Sequence, residues 1–388
     1  MKARFQNLVG AISESRPVGN RSSLLQREST DNEATNPIYE IRSIKSTLIK
    51  YTHCISIFVW ITLLCHISCA VPNPDGKGVL RPPISPNVDI VPSIREREAP
   101  PILDVSYVET IGRAGQGAGE FLMPMGLIID AYGQLYIADA GNNRVQVIDS
   151  NGHFVAEFGS YGWRDGEFDF PNDVDLSLDT LYVADTGNNR VQYCNLVNRI
   201  FYPLTTTSQD FQFDAPEGIG LGRNGEVFVV DTLNHRWVQF SRNLAPVFTI
   251  GSFGSSREQF WNPTDLLVNP HGTVYVVDTG NHRIMSYDFS GNPIRTWGKE
   301  GNALGQFREP KRLAIDSWNY LYVTDSGNRR IQVFTAEGRA VIEFTVKTLL
   351  NPCGIAVSEK GRVFVTDTDA GDIKVFQMIF KSDAKKAE

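Results

Sequence analysis

From residue 105 to residue 380 the chain alternates apolar and polar positions in short runs, each broken by an Asp/Gly/Asn turn. The clearest copy is Leu181-Tyr182-Val183-Ala184-Asp185-Thr186-Gly187-Asn188-Asn189-Arg190-Val191-Gln192. Further copies centre on Asp139, Asp231, Asp278, Asp325 and Asp367. Successive aspartates are 46, 46, 47, 47 and 42 residues apart, a period that marks a propeller or solenoid array. Period-two alternation on both sides of a tight turn is the pattern of a β-hairpin. No stretch of helical period separates the copies, so the repeats are all-β blades. Each blade has a first strand opening on a proline, as in Pro171-Asn172-Asp173-Val174-Asp175-Leu176, then a second strand of the Leu-Tyr-Val-Ala-Asp type. A third strand and a glycine-ended fourth follow. The sixth copy stops after three strands at Ile379, and Val105–Ile111 is a surplus strand ahead of the first blade. A closed ring leaves no long open edge, so this strand is expected to complete blade six. A phenylalanine stands three residues before each first-strand proline: Phe121, Phe168, Phe213, Phe260 and Phe307, with Leu349 in the last copy. One large apolar side chain per blade at a fixed place implies a contact between blades.

The D-x-G-N-x-R core of these copies resembles the NHL repeat, a family of β-propeller blades. It reads Asp139-Ala140-Gly141-Asn142-Asn143-Arg144 in the first copy and stands intact at Asp185, Asp278 and Asp325. The third copy has Leu233 in place of the glycine, and the sixth reads Asp367-Thr368-Asp369-Ala370-Gly371-Asp372, without Asn or Arg. The resemblance implies an all-β, six-bladed propeller over residues 105–380, followed by a charged tail at 381–388. The repeated pairs Asp139 and Arg144, Asp185 and Arg190, Asp231 and Arg236, Asp278 and Arg283, and Asp325 and Arg330 resemble catalytic equipment. Their repetition assigns them to architecture instead. Asp and Asn satisfy turn amides, and the arginine five residues on returns beside the carboxylate.

The chain before the blades changes character three times. Residues 1–50 are polar and without period, the composition of a disordered tail. Asn36-Pro37-Ile38-Tyr39 within it is similar to an NPxY adaptor signal and is read as a chance tetrapeptide. Residues 51–71 contain no Asp, Glu, Lys or Arg. At ~1.5 Å per residue they span one hydrocarbon thickness. Arg42, Lys45 and Lys50 flank them on the N-terminal side, so they are expected to form a type II signal anchor with the propeller extracellular or lumenal. Cleavage after Ser68-Cys69-Ala70 is the competing reading, and it would secrete the propeller. Residues 72–104 hold eight prolines, the composition of a semi-rigid stalk. Charge follows the same division. Residues 1–50 carry 8 Lys and Arg against 5 Asp and Glu, whereas residues 105–388 carry 25 against 34. An acidic propeller disfavours a nucleic-acid backbone as partner.

Little in the motifs points to chemistry. Gly112-Arg113-Ala114-Gly115-Gln116-Gly117-Ala118-Gly119 suggests a phosphate loop, but it leads into a strand rather than a helix. One enzyme with these blades, the peptidyl-hydroxyglycine amidating lyase, holds zinc through histidines that follow the first-strand prolines. The matching positions here are Met125, Asn172, Glu217, Thr264, Lys311 and Cys353, so that activity is disfavoured and no cofactor is expected. His235 and His282 fall within turns. Cys194 and Cys353 belong to distant blades, and no disulfide is expected between them. The turns between second and third strands share one face with the connections between blades. That face is expected to carry Tyr161, Trp163, Arg164, Phe170, Arg257, Trp261, Lys299, Arg308, Lys311 and Arg312, with Glu217 at the channel mouth. Aromatic residues mixed with arginine have the composition of a binding hot spot. The competing reading packs Trp163 and Trp261 into the seams between blades. The function expected is therefore non-enzymatic binding of a protein or other ligand. An enzyme at the channel mouth and an RNA-binding domain are the alternatives.

Overall fold

A computed structural model describes residues 99–204 and 212–381. Its strands form six four-stranded antiparallel sheets arranged as the blades of a propeller. The first strands are Pro124–Ile129, Pro171–Ser177, Pro216–Leu221, Asp265–Val268, Pro310–Ile315 and Pro352–Val357, and together they line the central channel. The second strands are buried on both sides, as the pattern of Leu135–Asp139 shows. Alternate residues serve opposite neighbours. Leu135 and Ile137 pack with Phe364, Ile373 and Val375 of blade six, while Tyr136 and Ala138 pack with Val174, Leu181 and Val183 of blade two. The core is accordingly six inter-blade seams rather than one central mass.

The recurring phenylalanines lie in those seams. Phe121, Phe168, Phe260 and Phe307 are fully buried, and Phe213 and Leu349 nearly so. Each fixes a connection between blades, because burying one such ring contributes about 1.5–3 kcal/mol. The glycine that ends a fourth strand makes this possible. A Cβ on Gly159, whose φ is 86°, would lie 2.2 Å from the Phe168 ring.

The surplus strand closes the ring. It runs Ile102–Ile111, three residues longer than the expected Val105–Ile111, and pairs antiparallel with Asp372–Phe380. Val105 lies opposite Met378 and Ile111 opposite Ile373. Tyr107 meets Phe376 edge-on at 5.8 Å, and Arg362 pairs with Glu109 at 2.7 Å. Blade six thus draws its outer strand from the opposite end of the propeller's sequence. The glycine-rich run after Ile111 forms a two-residue parallel pair, Arg113–Ala114 with Glu120–Phe121, and is a connection into blade one. Among the described residues no helix is long and apolar enough to cross a membrane. The tail at 1–50, the anchor at 51–71, residues 72–98 of the stalk and residues 382–388 lie outside the described residues.

Candidate functional site

The repeated aspartates are built into the fold. Asp185 is fully buried, and its Oδ2 accepts from Arg190 Nε at 2.6 Å and from Gln192 Nε2 at 3.0 Å. Asn188 Nδ2 donates to both carboxylate oxygens at 3.0 Å, and Oδ1 accepts the backbone N–H of Asp169 at 2.8 Å. Arg190 and Gln192 then reach the Glu167 carbonyl at 3.0 and 2.8 Å. The set ties the turn to the connection that enters its blade. Arg144 on Asp139, Arg236 on Asp231, Arg283 on Asp278 and Arg330 on Asp325 repeat it at 2.9, 2.7, 2.6 and 2.7 Å. Asp367, without arginine, accepts instead from the backbone amides of Leu350, Asn351 and Ala370. In blades one to four the residue that ends the turn adopts a left-handed conformation and staples the next blade. Asn143 and Asn189 accept from the amides of Phe170 and Ala215 at 2.9 Å, and His235 and His282 accept through Nδ1 from Asn262 and Glu309 at 3.2 and 3.1 Å. Both histidines are structural.

The same repeat separates what the loop face needs from what it leaves free. Ala114, Tyr161, Phe253 and Glu300 occupy one position, each bridged through backbone to the phenylalanine seven residues on. Leu122, Asp169, Asp214, Trp261, Arg308 and Leu350 occupy another, where the fold uses backbone: the amide donates to the repeat aspartate, and in the first five the carbonyl accepts from an amide of the turn. At neither position does the fold require an aromatic side chain. Tyr161 is 69% exposed, Trp163 72%, Phe253 63% and Trp261 49%, so neither tryptophan is packed away in a seam. Phe253 stacks on His235 at 5.0 Å and meets Trp261 edge-on at 6.3 Å. Leu233, on the same turn as His235, is exposed. Arg164 projects into solvent beside Trp163 and approaches Glu167 at 3.9 Å.

Arg312 corrects the expectation that it belongs to this exposed face. It is 4% exposed and lies across the channel mouth. Nη1 donates to the Thr264 carbonyl at 2.7 Å, and Nη2 donates to the carbonyls of Asn172 and Glu217 at 3.0 and 2.9 Å and to Asn172 Oδ1. The carboxylates of Asp173 and Asp265 stand 3.6 and 3.5 Å away. Burial raises the pKa of both carboxyls, and Arg312 opposes that rise. Burial also opposes the charge on Arg312, but the two aspartates outweigh it and raise its pKa. Lys311 and Glu217 are half-buried beside it, and burial raises the Glu217 pKa. Arg312, Asp173 and Asp265 line one part of a cavity of about 270 Å³ that continues along the axis between Leu, Ile and Val side chains of the first strands, with Asp175 in its wall. Burial pushes that carboxyl up to about 8.

A profile of the NHL repeat matches residues 168–192 and 260–285, each running from a seam phenylalanine through a repeat aspartate and arginine. Blades two and four thus carry NHL repeats. Protein brain tumor of Drosophila melanogaster is 26% identical over 135 residues, 34% of this chain and 13% of that protein. Protein lin-41 of Caenorhabditis elegans is 42% identical over 48 residues, 12% of this chain and 4% of that protein. The matches therefore span a small part of either relative's length. Among solved structures, a gluconolactonase from Xanthomonas campestris superposes with a TM-score of 0.54 at 13% identity, covering 72% of this chain and 99% of that one. A catalytically inactive virginiamycin B lyase from Staphylococcus aureus superposes with a TM-score of 0.52 at 13% identity, covering 71% and 100%. Likeness at that identity extends to the fold alone.

Within the propeller, Met125, Asn172, Glu217, Thr264, Lys311 and Cys353, the residues after the first-strand prolines, stand around the channel mouth. Among the described residues no three His, Cys, Asp or Glu side chains gather as metal ligands, and Cys194 and Cys353 are free and buried. Sequence reasoning missed two features. The first is the glutamine two residues after the repeat arginine, at Gln146, Gln192 and Gln332, which donates to the buried aspartate. The second is the ring formed by the residue two places after each first-strand proline: Gly126, Asp173, Gly218, Asp265, Arg312 and Gly354. Aligning the repeats would have exposed both.

Proposed function

We propose that this chain is a non-catalytic recognition module whose NHL propeller captures a protein partner on the face that carries Phe253 and Trp261. One observation carries the reading. Phe253, Trp261 and His235 form a partly exposed aromatic cluster at positions where the fold uses backbone or, for His235, only Nδ1. Large aromatic side chains held in place without being buried are what protein interfaces use as anchors. Trp163 and Tyr161 extend the same composition to the connection between blades one and two. On the strength of the basic flank before residues 51–71, the proposal also places this face outside the cytosol.

The test is a photo-crosslinking side chain at position 261, compared with the same group at Tyr132 on the opposite face. A discrete protein adduct is expected only from position 261. Phe253→Ala should weaken capture of that protein roughly 10- to 100-fold, as befits an anchor worth about 2 kcal/mol, with little change in melting temperature. Equal adducts from both positions would overturn the reading.

A further inference from the structure

Six backbone carbonyls, one from each residue that follows a first-strand proline, point at the mouth of the channel, and they divide into two sets of three. The carbonyls of Met125, Lys311 and Cys353 accept from the hydroxyls of Thr366, Thr264 and Thr324 at 2.7, 2.7 and 2.8 Å. Those of Asn172, Glu217 and Thr264 have Arg312 as their donor. Buried carbonyls need a partner, so the guanidinium completes the accounting. The Cys353 thiol acts on it without a hydrogen bond. With Asn172 Oδ1 and the carboxylates of Asp173 and Asp265, the atoms that hydrogen-bond or pair with it are all oxygens, two of them from anionic groups. Blades two, three and four supply every one of them, and Arg312 reaches in from blade five.

The cage has been given room. Its neighbours in the ring are Gly126, Gly218 and Gly354, and a Cβ on Gly126 would lie 1.9 Å from Asp173 Oδ1. The two carboxylates are held independently of the arginine: Asp173 Oδ2 accepts from the amide of Ile219 at 2.9 Å, and Asp265 Oδ2 from that of Leu313 at 2.7 Å. Arg312 meets the cage through its two terminal nitrogens only, and its buried Nε has no partner. The oxygens therefore surround a compact positive charge rather than the full fork of a guanidinium. Carbonyls and carboxylates without nitrogen or sulfur are the donor set of a hard cation.

We propose that the mouth of this propeller's channel is a cation site which Arg312 fills from within the chain, and that the cage binds a divalent ion of the calcium type once the guanidinium is removed. Two carboxylates are balanced by one divalent ion, which makes such an ion a better substitute than a monovalent one. In the wild-type protein the tethered charge joins four of the six blades without drawing on the metal supply.

The experiment compares melting of the full chain and its Arg312→Gly variant in chelator, in millimolar calcium and in millimolar methylguanidinium. The wild type is expected to melt at one temperature in all three. Arg312→Gly is expected to melt about 10 °C lower in chelator and to recover at least half of that loss with calcium, at one ion per chain. Adding Asp265→Asn should abolish the recovery. A variant that melts like the wild type in chelator, or that ignores calcium, overturns the proposal. Should Arg312→Gly fail to fold in every buffer, Arg312→Gln decides, because it keeps part of the stem and a donor for the carbonyls but removes the charge. A calcium-dependent rise in its melting temperature supports the site, and a flat response refutes it.

Discussion

Asp175 is a single residue whose ionisation works against the fold. It lies in the wall of the axial cavity among Leu176, Leu221 and other aliphatic side chains, and burial pushes its pKa up to about 8, far above the usual value near 3.9. The folded chain therefore keeps a proton that the unfolded chain releases. The stability this carboxyl contributes is complete below about pH 4 and is lost as pH rises through 8, with a slope of at most about 1.4 kcal/mol per pH unit. Asp175→Asn, which cannot ionise, should flatten the decline in unfolding free energy between pH 5 and 8 when measured by denaturant titration. Parallel curves for the two proteins would refute the account. Arg312 shows where reading single residues from sequence fails. An arginine after proline and lysine looks like part of a surface loop, but the irregular register between Pro310 and Leu313 turns it onto the axis. Its burial depends on Asp173 and Asp265, which lie far away in sequence, so no local pattern reports it. Trp261, by contrast, was legible as a residue the repeat does not demand.

At the scale of the strand, the blades were readable because everything that defines them is local. Period-two alternation, a turn with Asp and Gly, and a returning arginine all fall within about a dozen residues. Their one non-local partnership was also legible, through arithmetic: one strand too many at the start and one too few at the end. Without Ile102–Ile111, the Asp372–Phe380 strand would expose an unpaired edge, and edges of that kind recruit other chains. A chain lacking residues 1–111 should melt on the order of 10 °C below one lacking residues 1–98 and should associate at micromolar concentration. Differential scanning calorimetry with sedimentation would check both, and equal melting of the two would mean that the strand is dispensable.

For the molecule as a whole, the count of six blades followed from the repeat, and the phenylalanine at a fixed place in each copy already implied contacts between blades. Stability is spread over six seams of similar make-up, each shared by two blades. Among the five blades that keep the repeat arginine, blade three alone breaks the core, with Leu233 for glycine, and its Trp237 is buried among Phe228, Phe248 and Tyr287. It also contributes His235 and Phe253 to the aromatic cluster beside Trp261. The break in the repeat at Leu233 and the surface that carries the proposed function thus meet at the seam between blades three and four.

The clasp that closes the ring also decides how the molecule answers to force. Ile102 lies opposite Phe380, and the amide of Lys381 donates to the Pro101 carbonyl at 3.0 Å, so the chain enters and leaves the propeller at one point. Tension applied through Pro101 and Lys381 would load the antiparallel pair at one end, and its hydrogen bonds, which lie across the strands, would give way one after another. Tension applied through Pro101 and Gly371 would load both ends of the pair and strain all of those bonds together. In an optical trap the first geometry should open the ring at distinctly lower force than the second. The propeller would then be stable when heated and yet yield readily when its two ends are drawn apart.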